Sequence, residues 1–251
     1  MTQSASSIHV NPPILLEGTR NTRSLGGYRN KEMIAIKENR FFRSDSTHGL
    51  TENDMKQLAL RNVKCVIDLR SDYERSQAPS AFRQNCNVDY YEVPISDGIA
   101  SNGFSGQLPC SMGQLYVDLL SNQADAFAQV FHIIARYEQK GAVLYHCTVG
   151  KDRTGLVSMF LLSLANVDQA TILADYQTSE ANMREFFEQQ QKRIQQTCNI
   201  VIPDAVFSSD PKELSTALDY ITSHYTSPQA YLLKNGVTQE EIDKIKKMLL
   251  V

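Results

Sequence analysis

A chain of 251 residues with 42% hydrophobic content is long enough for one large domain with a sizeable core, which excludes wholesale disorder. A formal net charge of -3 gives no electrostatic case for nucleic acid or an acidic membrane, although a local basic site can still hold an anion. Five cysteines, an odd number with no CxxC pair, fit neither a disulfide scaffold nor a zinc ribbon.

Residues 1–13 read as a flexible polar arm ending in Pro12 and Pro13, and residues 14–251 as a single domain. The first ten residues carry no basic n-region and no apolar h-region, so no signal peptide is visible. No apolar run reaches transmembrane length, so no stable membrane insertion is expected. The expected location is cytoplasmic, or exported without a visible signal peptide. Residues 21–28 (NTRSLGGY) contain paired glycines beside Arg23 and mark a turn. Residues 31–36 alternate enough for a strand, and residues 40–44 for another. Thr51, with Asp54 three residues on, caps a helix through Arg61. Residues 63–69 are β-branched and mostly apolar, which predicts a central parallel strand. Asp68 and Arg70 lie at its carboxyl end, where open α/β sheets gather ligands; they are candidates to reach the face of the 146–155 loop, and a local ion pair that ties down the strand end is compatible with that. Cys65, early in that strand, is expected in the core.

Residues 71–84 predict short helical pieces broken at Pro79, and residues 88–93 a strand. Residues 94–110, with three glycines and two prolines, form a long loop of the kind that is mobile or functional, and Asp97 lies in it. Helices follow over 111–120 and 124–139, the second with Phe127, Val130, Phe131 and Ile134 on one face. Residues 142–145 predict a buried strand, and residues 156–164 a buried helix. From 167 to 251 the pattern is nearly all helical, with Ala181 to Gln196 more like an exposed helix or lid than core. Asp210 and Pro211 start one helix, and Thr238 with Glu241 caps the last. The expected fold class is α/β, with a central, mostly parallel sheet flanked by helices and a helical C-terminal part.

Between the 142–145 strand and the next helix lies HCTVGKDRTG, residues 146–155. A strand, a tight loop and a helix N-terminus form an anion site, because free N–H groups and the positive helix end converge there. A thiol at Cys147 facing such a site is favoured as the thiolate. A phosphomonoester, with about two negative charges near neutral pH, needs an oxygen cradle, an in-line nucleophile and an acid for the leaving oxygen. The backbone of Thr148, Val149, Gly150, Lys151, Asp152 and Arg153 supplies the cradle. Arg153 can bind two equatorial oxygens in bidentate fashion, and Cys147 is the nucleophile. His146 orients the loop, and Thr154 donates to the sulfur as it leaves. Two aspartates compete as general acid: Asp152 inside the loop, favoured by proximity, and Asp97 on the long loop. Lys151 adds a positive charge that a second phosphate could use. His9, His48, His132 and His224 show no metal-binding spacing, and neither metal nor cofactor is expected.

HCTVGKDRTG resembles the signature loop of cysteine-based protein tyrosine phosphatases, in the form found in the bacterial and fungal tyrosine/serine phosphatase family. NTRSLGG at 21–27, FRS at 42–44 and VIDLR at 66–70 match in the same order, as does the tail at 231–250. The resemblance implies a dual-specificity-phosphatase-like fold, a phosphocysteine intermediate at Cys147, Asp152 as the acid, and support of the loop by Arg43 among the matching segments. It associates Lys151 with activity on phosphoinositides. Ser24 stands where the family often has Asp. The implied function is hydrolysis of phosphotyrosine, with phosphoserine and phosphothreonine as further substrates. The alternatives are a phosphoinositide phosphatase or a catalytically inactive phospho-binding module. The partners implied are a phosphoprotein or phosphoinositide substrate and phosphate or a similar anion in the site, with no nucleic acid.

Overall fold

A computed structural model describes residues 8–96, 109, 111–198 and 202–250. Five strands form one sheet: β1 (Arg23–Ser24), β2 (Phe41–Ser44), β3 (Val63–Asp68), β4 (Asp89–Glu92) and β5 (Ala142–His146), in the order β1-β2-β5-β3-β4. Only β1 pairs antiparallel; β2, β5, β3 and β4 run parallel. The register sets Ser44 and Asp68 on either side of His146. Three carboxyl ends thus meet where β5 passes into the 146–155 loop, and this positions the site.

The apolar strand runs face both ways, as a parallel sheet covered on both sides requires. Phe41, Cys65, Ile67, Val143 and Tyr145 enter the main core. Phe42, Val66 and Leu144, the alternate residues, enter a smaller cluster with Leu58 and Phe82. That smaller face is covered by α1 (Glu52–Leu60), whose Thr51–Asp54 capping box forms as the sequence predicts. After β3 comes the short α2 (Asp72–Gln77), capped by Ser71 and Glu74. The main core is built with α3 (Met112–Asn122), α4 (Ala124–Ala135) and α5 (Asp152–Leu164), the last buried nearly all round. The helical C-terminal part comprises α6 (Gln169–Cys198), α7 (Pro211–Tyr225), α8 (Pro228–Lys234) and α9 (Gln239–Leu250).

The mixed α/β class, the mostly parallel sheet and the helical tail agree with the sequence. Three local expectations do not. Residues 31–36 form no strand; they make one isolated bridge, Arg29 to Ala35. The Asn30 side chain accepts from the Glu32 and Ile34 amides and folds the segment into a turn instead. Ala181 to Gln196 is helical and mostly exposed, as expected, but it is not a separate element. It continues α6, and its Met183, Phe187 and Ile194 pack with Ile202 and Phe207 in a third apolar cluster that reaches Val149 of the loop. Its many Gln and Glu residues hide a stripe of large apolar ones, each stabilising by roughly 1.5–3 kcal/mol when buried. Of the polar arm, the described residues are held at Asn11, whose side-chain amide donates to the Ser24 and Gly26 carbonyls at 2.9 and 2.8 Å.

Candidate active site

The 146–155 loop is held open from behind. Its outward carbonyls are engaged by side chains of the β1 and β2 region: Asn21 Nδ2 donates to the Val149 and Gly150 oxygens at 3.0 and 3.1 Å, and Arg43 Nη2 donates to Gly150 O at 2.7 Å. With its carbonyls held outward, the loop can turn amides inward, and the Gly150 N–H donates to Cys147 Sγ at 3.3 Å. Gly150 has φ of +72°, and a Cβ there would lie 2.6 Å from Ser44 O, so glycine is required on both counts. Asp152 opens α5, so the helix starts inside the loop rather than at Leu156, and its positive end faces the same spot.

Arg43 and Arg23 are themselves held by a carboxylate that sequence reasoning missed. Asp175 of α6 accepts from Arg23 Nε at 2.9 Å and from Arg43 Nη1 at 2.5 Å, with all three side chains buried. Burial alone would push the Asp175 carboxyl up; the two guanidiniums outweigh it and hold it down at about 2. Asp175 is the only charged residue from 169 to 179. That isolated charge in a helix with a buried face was a readable signal.

Arg153 is clamped by a second residue that was missed. Its Nη1 and Nη2 donate to Glu74 Oε2 and Oε1 at 2.8 and 2.7 Å, a fork-to-fork pair. Glu74 also accepts from Thr148 Oγ1 and from the Ser71 amide, so one carboxylate ties together the loop, the α5 arginine and the start of α2. Burial works against its charge, but Arg153 and these hydrogen bonds bring it to about 2. The signal was Ser71-x-x-Glu74, a capping-box pattern immediately after Arg70.

His146 is fully buried, with Nδ1 3.1 Å from the Cys147 carbonyl and Nε2 3.2 Å from Thr47 Oγ1. Burial lowers its basicity more than Asp68, 3.5 Å away, raises it. A neutral ring donating to the Cys147 carbonyl fits the expected orienting part. Asp68 and Arg70 pair with each other at 2.7 Å, and Arg70 also reaches Ser46 and Ala78 O. The local ion pair is therefore present, with its Asp68 beside His146. Thr154 Oγ1 is buried and, among the described residues, makes no hydrogen bond, a costly state for a hydroxyl without a task.

Lys151 is placed differently from its expected role. Its ammonium is buried and donates to the carbonyls of Val206 and Ser208 at 2.7 and 2.8 Å, fastening the segment after α6 to the loop. Asp152 keeps 16% of its side chain exposed and is 3.4 Å from Lys151 Nζ. Its Oδ1 accepts from Tyr116, a residue of α3 to which the sequence reading gave no role. Asp97 lies outside the described residues. Among the described residues, no group of three or more His, Cys, Asp or Glu could hold a metal ion, and no helix is long and apolar enough to cross a membrane.

The model of the family described as "Tyrosine phosphatase family" matches residues 14–251. A tyrosine-protein phosphatase of Nostoc commune is 31% identical over 227 residues, spanning 86% of this chain and 76% of that one. The triple specificity protein phosphatase PtpB of Mycobacterium tuberculosis is 23% identical over 256 residues, spanning 86% and 92%. Among solved structures, P. aeruginosa TpbA matches with a TM-score of 0.41 and 16% identity over 69% of this chain and 81% of that one.

Proposed function

Since the chain belongs to the tyrosine phosphatase family, we propose that it hydrolyses phosphotyrosine in proteins through a phosphocysteine formed at Cys147. One observation carries this reading: the loop around Cys147 is held with its carbonyls outward and a backbone N–H on the sulfur, beside an arginine already clamped in place. A rigid ring of donors beside a thiolate is preorganised for a phosphoryl group, whose transfer depends on positioning and charge stabilisation.

The loop amides and Arg153 hold the three non-bridging oxygens. The Cys147 thiolate attacks phosphorus in line, the P–O bond to the tyrosyl oxygen breaks, and Asp152 gives that oxygen its proton. In the second half, Asp152, now a carboxylate, takes a proton from water as it attacks the phosphocysteine. The S–P bond breaks, and Thr154 Oγ1 donates to the departing sulfur, which gives its unpartnered hydroxyl a task. Glu74 fixes the guanidinium plane of Arg153, and His146 fixes the Cys147 carbonyl. The Lys151 ammonium, engaged by two carbonyls, is not offered to a second phosphate, which favours phosphoprotein over phosphoinositide.

Phosphate release from a phosphotyrosine peptide, a phosphoserine peptide and phosphoinositide vesicles tests the substrate class, with the phosphotyrosine peptide expected to turn over fastest. Faster release from vesicles would reverse that assignment. For the acid, Asp152→Asn is expected to lower kcat by about 10²–10³-fold and to flatten the decline of kcat on the alkaline side. If Asp97→Asn flattens it and Asp152→Asn does not, the role belongs to Asp97.

A further inference from the structure

Behind Asp152 runs a short chain of phenols. Tyr116 of α3 is fully buried, and its hydroxyl donates to Asp152 Oδ1 at 2.5 Å. The same oxygen lies 2.6 Å from the hydroxyl of Tyr176 in α6. A phenol has one proton. Tyr116 gives its proton to Asp152, so Tyr176 must supply the one between the two rings, and the direction Tyr176 to Tyr116 to Asp152 is fixed. The rings meet edge to face, with centroids 6.2 Å apart and planes at 85°. Tyr176 in turn packs on Gly155, where a Cβ would lie 3.1 Å from its ring. Tyr176 thus packs against α5 within a turn of Asp152, and Tyr116 packs against Tyr176.

We propose that Tyr116, backed by Tyr176, is the positioning residue for Asp152: it holds Oδ1 as an acceptor and leaves Oδ2 to carry the proton delivered to the leaving oxygen. This rests on the reading of Asp152 as general acid. Among the described residues, the groups facing the carboxyl are Tyr116 from α3, Tyr176 from α6 and Lys151 at the start of α5; Glu213 of α7 and Arg43 of β2 act on Tyr176 from further back. Burial first, and the Asp152 charge second, hold both phenols well above the usual range, so both stay protonated donors at any working pH. A proton on Oδ1 would face the Tyr116 O–H and the Lys151 ammonium, both donors. Oδ1 is therefore the better acceptor and Oδ2 the better proton carrier.

Tyr116→Phe removes the hydroxyl and keeps the ring. It is expected to lower kcat on a phosphotyrosine peptide about tenfold with KM unchanged, because the acid is misplaced only when the bond breaks. Tyr176→Phe should act in the same direction and more weakly. In an Asp152→Asn background, Tyr116→Phe should have no further effect on kcat. If Asp152→Asn flattens the alkaline decline while Tyr116→Phe keeps wild-type kcat and profile, the positioning role is overturned and the acid stands. If Asp152→Asn leaves the decline intact, the acid assignment fails first. An equal loss on Tyr116→Phe in both backgrounds would mean a general structural role and would also overturn the proposal.

Discussion

Cys147→Ser is expected to lose turnover by on the order of 10⁴-fold or more while keeping affinity for inorganic phosphate within a few-fold. The two halves of this expectation come from different parts of the site. Binding depends on the amides of the loop, the N-terminus of α5 and Arg153; of these only the Gly150 N–H is seen to donate to the sulfur, and a serine oxygen keeps an acceptor there. The loop carbonyls are held by Asn21 and Arg43, and the guanidinium by Glu74, so the cradle survives the change. Turnover depends on an ionised nucleophile. A serine hydroxyl at the same place has the Gly150 N–H as a neighbour but no general base, because neutral His146 already faces the Cys147 carbonyl and Thr47. Phosphate release from a phosphotyrosine peptide, together with calorimetric titration of inorganic phosphate, checks both halves. A variant with ordinary turnover would remove the covalent mechanism, and one that no longer binds phosphate would mean that the sulfur holds the loop in shape.

What could be read from the chain follows from sequence distance. The loop, its strand and its helix are contiguous, so residues 146–155 carried most of the chemistry, and β-branched runs with short turns disclosed the parallel sheet. The residues that hold the loop are remote. Glu74 meets Arg153 across 79 positions, and Asp175 meets Arg23 across 152. Nothing in the periodicity of α2 or α6 says which partner a buried carboxylate will find. Lys151 shows the opposite limit: its neighbours in the sequence are site residues, but its long side chain reaches past them to carbonyls more than fifty positions away. Tyr116 was hidden because an aromatic residue on an apolar helix face reads as packing, and only its hydroxyl differs. Composition likewise concealed the buried stripe of α6, since Gln and Glu outnumber Met183, Phe187 and Ile194 along the same stretch.

Asp175→Ala should destabilise the fold by roughly 3–5 kcal/mol. The carboxylate sits between two guanidiniums, all three side chains buried, and each arginine already opposes the other's charge. Deleting it leaves two cations in a low-dielectric site with, among the described residues, carbonyls, Asn21 and Ser179 as partners. Breaking a buried pair this way costs more than the pair contributes, because the abandoned charges stay behind. In a chain of this size, such a loss should lower the melting midpoint by about 10 °C. It should also reduce kcat, since Arg43 holds the Gly150 carbonyl outward only while Asp175 holds Arg43. The pH dependence has a definite sign. The folded Asp175 carboxyl lies at about 2, below the roughly 3.9 of an exposed aspartate. Its contribution is therefore complete above about pH 4 and is lost as pH falls towards 2. Denaturant unfolding of the wild type should show stability falling through that window, and Asp175→Ala should fall less steeply there because one such group is gone. A variant within about 1 kcal/mol of wild type at pH 7 would mean that the arginines find adequate partners without the carboxylate. The charge network would then not be what braces the loop.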